Sequence, residues 1–279
     1  MSAQRLSILI YHRVLARADA LLPSLPDAQR FDRQMALLKR HFNVLPVSQA
    51  VRRLQSQTLP RRAACITFDD GYADNAEVAL PILQKHGLNA AFFVASGYLN
   101  GGQMWNDDII DYVRQSGGDP QALDQLLQEL KYLPFDHRLR TASALAPPRG
   151  RQLMLRSEQL QALHAAGMEI GAHTHRHPIL AAVPDADAFT DIAQGKSMLE
   201  NIIQAPVTLF AYPNGKPGTD YRQQHVQMVS EMGFDAAFST VAGAAYDGSD
   251  PLQLPRFTPW EPDRLRFLLR LLAQRRIAV

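Results

Sequence analysis

Two short stretches bring together side chains able to do chemistry. The first is Thr67-Phe68-Asp69-Asp70-Gly71-Tyr72, which ends an apolar run. Adjacent carboxylates in a strand-to-loop turn cannot both be buried and charged without a compensating cation. A metal ion resolves the conflict, with one carboxylate as its ligand and the other free to act as a base. An Asp-Asp-Gly turn that caps the following helix is the plainer alternative. The second stretch, Gly171-Ala172-His173-Thr174-His175-Arg176-His177-Pro178, holds three of the nine histidines. His173 and His177 are four apart, so a single turn after a strand can aim both imidazoles at one ion; the alternative is a polar loop with solvated rings. With Asp70 they supply two nitrogens and one carboxylate oxygen. That is the donor set of a catalytic zinc-like site with positions open for water.

Such groups need a scaffold. The chain has 279 residues, 46% of them hydrophobic and 20% charged, with one cysteine. This suits one large α/β domain or two small ones and excludes a disordered, collagen-like or disulfide-stapled chain. With 29 basic and 27 acidic side chains, no global field recruits nucleic acid. Apolar runs at 6–11, 64–68, 90–94, 168–172, 207–211, 236–239 and 254–257 read as strands. Between them lie helical patterns. Asp74 and Asn75 are placed to cap a helix to about His86, Ser157 opens another, and 185–203 and 221–232 follow. Glycines at 87, 167 and 233 stop three of these. The alternation predicts a parallel sheet closed into a barrel. His12, Asp69, Asp70, His173 and Pro213 each fall at or just beyond a strand end, where barrel sites gather.

Residues 101–152 break the rhythm. Gly101-Gly102, Gly117-Gly118-Asp119-Pro120 and Pro147-Pro148 bracket one or two amphipathic helices, including Gln121–Tyr132. An insertion of this length reads as a lid or substrate wall. Within it, helix capping accounts for Asp107 and Asp108.

The two motifs, in this order, resemble those of the polysaccharide deacetylases (carbohydrate esterase family 4, the NodB-homology domain). A third family motif, an Arg with a Pro-Tyr-Gly-like turn, aligns with Phe210-Ala211-Tyr212-Pro213-Asn214-Gly215. The likeness runs from about residue 6 to residue 258. It implies a distorted (β/α)7 barrel, one catalytic domain over 1–279 carrying the 101–152 insertion. It also implies a metal-dependent hydrolase that removes N-acetyl groups from an amino-sugar-containing polysaccharide or its precursor. On this resemblance Asp69 is the general base. Asp70, His173 and His177 are ligands of a divalent metal, zinc in first place with Co2+, Ni2+ or Mn2+ as alternatives. The backbone N–H at Asn214 serves the oxyanion.

The departures are informative. Ala211 stands where the family has its base-steadying Arg, and Arg256 at another strand end is the candidate substitute. The late Leu-x-His motif is missing. Ile10-Tyr11-His12-Arg13 instead resembles the entry of a circularly permuted branch that includes poly-N-acetylglucosamine deacetylases, which makes His12 the acid. Tyr212, Trp105 and Trp260 are candidate sugar-contacting aromatics; packing is the competing explanation. Another C–N or O-acetyl ester hydrolase, or a non-catalytic carbohydrate-binding relative, remains open as an alternative.

Residues 262–279 carry five arginines and one aspartate. In helix 262–274 the leucines 265, 268, 269 and 272 share a face, expected to cover the sheet, with a membrane-surface contact as the second reading. The first apolar run reads as a strand and not as a secretion signal, and no run is long enough to span a bilayer, so a cytoplasmic location is expected. No partner protein is readable.

Overall fold

Apolar runs covered on both faces build the sheet. A computed structural model describes residues 4–145 and 151–277. In chain order the elements are β1 (Arg5–Tyr11), α1 (Ala28–His41), β2 (Asn43–Val44), α2 (Val47–Gln55), β3 (Ala63–Phe68), α3 (Leu80–His86), β4 (Ala91–Val94), α4 (Trp105–Gln115), α5 (Pro120–Lys131) and α6 (Phe135–Leu145). They continue with α7 (Ser157–Ala165), β5 (Glu169–Ala172), α8 (Asp185–Ile203), β6 (Leu209–Ala211), α9 (Gln223–Glu231), β7 (Ala236–Phe238), β8 (Ala245–Tyr246) and α10 (Arg264–Gln274). The sheet order is β7-β6-β5-β4-β3-β1-β8, with β2 paired to the start of β3. Among the described residues only β8 runs antiparallel to its neighbour, β1.

Alternation along the strands separates two cores. Leu6 and Ile8 of β1, Ala63 and Cys65 of β3, Phe93 of β4 and Phe238 of β7 share the inner one. Val47, Ala50, Val51 and Leu54 of α2 belong to the same cluster and plug the barrel at the strands' amino ends. Leu9, Tyr11, Ile66, Phe68, Phe92 and Val94 point outward and pack under the surrounding helices.

The stretch predicted as a seventh strand, Leu254–Phe257, is not a regular one. Leu254 bridges Phe238 of β7, Phe257 bridges Leu9 of β1, and Pro255 between them has no N–H to offer a ladder. It still closes the curl, because Leu254 N–H donates to Ala237 O at 2.8 Å and Phe257 N–H to Ile8 O at 3.0 Å. The result is a distorted (β/α)7 barrel with one broken stave.

Three further expectations change. Asp74 does not cap the helix that follows it. It is itself helical, a π turn at Asn75–Ala79 leads into α3, and its carboxylate accepts from Arg13 Nε at 2.8 Å and Val14 N–H at 3.1 Å. The insertion holds three helices, α4 to α6, around a small core of Ile109, Val113, Leu123, Leu130 and Ala142. Residues 146–150, with Pro147-Pro148, lie outside the described residues. On α10 the expected inner face is turned outward: Leu265, Leu269 and Leu272 are exposed, and Leu268 is half-buried. Phe267 and Leu271 dock the helix into the outer core instead. A period of 3.6 reveals a stripe but not which stripe is buried.

Candidate active site

The inward alternation of β3 carries on past its end, through Cys65 and Thr67 to Asp69. The next residue, Asp70, has φ 76°, and Gly71 has φ 87° with no room for a side chain, since a Cβ would sit 2.8 Å from Val94 Cγ1. Among the described residues, four of the eight non-glycine residues with positive φ are Asp70, Thr174, His177 and Asn214, all in the loops that meet here. Such backbone persists only where its surroundings hold it.

His173 is fixed by the backbone of β6: its Nδ1 donates to Ala211 O at 2.8 Å, which turns Nε2 and its lone pair inward. The loop after it is gripped by α8. Asp191, buried in that helix, accepts from the N–H groups of His175 and Arg176, both at 2.8 Å, and from Arg176 Nε at 2.7 Å. One turn on, Gly195 lets α8 approach the loop, since a Cβ there would meet the Thr174 carbonyl carbon at 2.6 Å. Neither residue is singled out by the sequence. Only their place facing the loop gives them this work.

Asp70 Oδ1 lies 3.5 Å from His173 Nε2 and 3.3 Å from His177 Nε2, and the two nitrogens are 3.1 Å apart. Among the described residues no other group of His, Cys, Asp and Glu converges in this way. Donors about 2.0–2.1 Å from a shared tetrahedral ion would be about 3.3 Å from one another, so the set fits a divalent cation in both spacing and chemistry. Burial pushes the His177 imidazole down to about 3, which leaves it neutral with a free lone pair. Burial would raise the Asp70 carboxyl, but the attraction of the imidazoles around it, His173 first and then His12, holds it well below the ordinary range.

Beside this set, Arg256 grips Asp69 through two parallel bonds, Nη1 to Oδ1 at 2.7 Å and Nη2 to Oδ2 at 2.8 Å. Arg256 is fully buried, with Nε donating to Ser239 O at 3.0 Å and Nη1 reaching Thr67 Oγ1 at 3.2 Å. Burial alone would raise the Asp69 carboxyl; the Arg256 charge, with help from His173 and His12, outweighs it and keeps the pKa lowered. The cation beside Asp69 thus comes from the broken stave, while Ala211 of β6 has none to offer.

These groups floor a cleft of about 540 Å³ that His12, Asn214 and Trp105 also line. Asn75 Nδ2 donates to the His12 carbonyl at 2.9 Å, anchoring that turn. Asn214 has φ 59°, and no acceptor for its N–H is found among the described residues. One face of α5, with Asp124, Leu127, Gln128 and Lys131 at helical spacing, forms a wall of the cleft. Two expected substrate contacts are not placed there. Tyr212 is fully buried, stacked on Tyr221 at 3.8 Å, its hydroxyl donating to Leu252 O. Trp260 is half-exposed outside the cleft, its ring covered by Arg270 at 3.6 Å. His175 also turns away, onto Ser96 Oγ. A second cavity, about 520 Å³, lies between the 13–22 loop and α4, but three of its four arginines are paired within the protein, Arg13 to Asp74, Arg114 to Asp19 and Arg151 to Asp111.

Comparison with known proteins gives the chain's family and fold. The family model described as polysaccharide deacetylase matches residues 56–237. YxkH of Bacillus subtilis (strain 168), provisionally named a polysaccharide deacetylase, is 21% identical over 243 residues, which is 86% of this chain and 66% of that protein. Among solved structures, the Streptococcus pyogenes deacetylase PplD, in complex with acetate, superposes with a TM-score of 0.69 at 21% identity, covering 97% of this chain and 99% of that one. IcaB from Ammonifex degensii gives 0.68 at 20% identity, with 96% of each chain covered. The barrel is therefore one that deacetylases use, and with the family model matched over more than half its length, this chain belongs to the polysaccharide deacetylase family.

Proposed function

We propose that the protein is a metal-dependent hydrolase that removes N-acetyl groups from an amino-sugar-containing polysaccharide or its precursor. The observation that carries this reading is the donor set of Asp70, His173 and His177 with an ionised carboxylate, Asp69, held next to it by Arg256. Asp70, His173 and His177 would hold the ion, zinc fitting two imidazoles and a carboxylate best; when bound, it supplies a lowered water pKa and a polarised acyl carbonyl. Asp69 takes the proton of the attacking water on a carboxylate oxygen, Oδ2 being the one 4.0 Å from His173 Nε2. Its bonds to Arg256 occupy one lone pair of each oxygen and leave the others for this task. The free N–H of Asn214 donates to the carbonyl oxygen as charge develops there. His12, across the cleft floor, protonates the departing nitrogen, a step that amides need because an unprotonated amine leaves poorly. Trp105 and the polar face of α5 contact the sugar.

The absent motif arginine is the best argument for a non-catalytic carbohydrate-binding relative, and the Asp69–Arg256 pair weighs against it. Two measurements together test the proposal: metal content by elemental analysis, and acetate release from N-acetylglucosamine oligomers set against O-acetylated xylan and small amides. Stoichiometric divalent metal that is lost in Asp70→Asn, with acetate release from the N-acetylated oligomers, is expected. Preference for the O-acetyl substrate would move the chain to the esterases, and no acetate release with any of Zn2+, Co2+, Ni2+ or Mn2+ would end the proposal.

A further inference from the structure

Eight large apolar side chains are exposed among the described residues, and five of them, Trp260, Leu265, Leu269, Leu272 and Ile277, fall between residues 260 and 277. Leu265, Leu269 and Leu272 recur at i, i+4 and i+7, so they form one stripe along α10. That stripe lies on the side away from Phe267 and Leu271, which are buried in the outer core. Positive charge borders it. Arg264 and Arg266 stand on either side of Leu265, and Arg276 follows the helix; all three are exposed, and none has an ion-pair partner among the described residues. The nearby acids are engaged elsewhere, Asp263 accepting the Arg266 N–H at the helix start and Glu261 paired with Arg270.

We infer that this face of α10 docks the protein on an anionic lipid surface. A docked helix with leucines outward and arginines flanking them has the form of one lying in the plane of an interface, its apolar side in the acyl boundary and its guanidiniums among the headgroup phosphates. Trp260, exposed beside α10 under Arg270, is the residue type that settles at headgroup depth. A second copy of the chain fits less well. A twofold pairing through the stripe would set the unpaired arginines of one copy against those of the other. An 11-residue helix, about 16 Å long, also offers far less than the roughly 800 Å² per partner of a stable interface.

The test is co-sedimentation of the full chain with vesicles of phosphatidylcholine alone and of phosphatidylcholine mixed with phosphatidylglycerol. Binding to the anionic vesicles, weakened by salt and at least about tenfold weaker in Leu265→Asp/Leu269→Asp and in Arg264→Glu/Arg266→Glu, is expected. All four positions are exposed, so the variants should retain the circular dichroism spectrum and thermal midpoint of the parent. The inference is overturned if the parent stays in the supernatant with anionic vesicles, or if the leucine variant binds as well as the parent. It is equally overturned if the stripe instead supports a concentration-dependent dimer that the leucine variant abolishes.

Discussion

Asp69 owes its charge chiefly to Arg256, with smaller help from His173 and His12, and this makes Arg256 a sharp point of attack. Arg256→Met leaves a buried carboxylate without its bidentate partner, at a cost of about 3–5 kcal/mol if it stays ionised. It should therefore take up a proton, and kcat/KM for acetate release should fall about a hundredfold or more while the metal content is retained. Arg256→Lys, which replaces a fork by a point charge, should recover only part of the loss. His12 is tested by leaving group. His12→Ala should slow release from N-acetylated oligomers by about 10²–10⁴, and release from an acetyl ester of an acidic phenol far less, since that group departs without a proton. Equal losses on both substrates would remove His12 from the acid's place.

At the scale of elements, the helices decide where the site loops lie. Gly195→Ala pushes α8 against the Thr174 carbonyl and should shift the histidine loop, lowering metal content and activity together with little change in circular dichroism. A second element-level prediction concerns α4, whose Asp107 is buried beneath Tyr72 and accepts the Met104 N–H at 2.9 Å. Burial lifts its carboxyl to about 6, with Arg13 opposing the rise. Between about pH 4 and 6 the unfolded chain loses this proton and the native one keeps it, so this group's contribution to stability falls as pH rises through that window and is flat above it. Relative to the parent, Asp107→Asn should flatten that decline, by on the order of 2 kcal/mol in urea unfolding followed across the window. The strands bearing the motifs were legible because runs covered on both faces are apolar throughout. Helices α1 and α2 also carry signals, Asp27 as a cap with Phe31, Met35 and Leu38 behind it, which the strand-centred reading passed over. Asp191 and Gly195 could not be found that way, since their meaning lies in what they touch across a helix–loop contact. The direction of the α10 stripe is hidden for the same reason, as Phe267 and Leu271, with Leu268 half-buried beside them, outweigh Leu265, Leu269 and Leu272 once the outer core is there to receive them.

For the molecule as a whole, the barrel is asymmetric along its axis. Inner-facing residues run from an apolar base through the Phe93–Phe238 contact to Arg256, whose guanidinium rests 5.4 and 5.8 Å from those two rings, and then to the charged floor of the cleft. The insertion raises one side of that cleft, and α10 presents its leucines on the barrel's outer flank. At the base, Val47, Ala50, Val51 and Leu54 fill the opening that a bare ring of strands would leave. Among the described residues the barrel's base is thus filled, and the cleft opens at the opposite end. Whatever is cut from a bound sugar has no back exit and must retreat past the chain it came from, so a liberated carboxylate lingers where the next acyl group has to bind. Accumulating acetate should inhibit in competition with substrate, raising apparent KM without lowering kcat, and initial-rate measurements with added sodium acetate against matched chloride would reveal it.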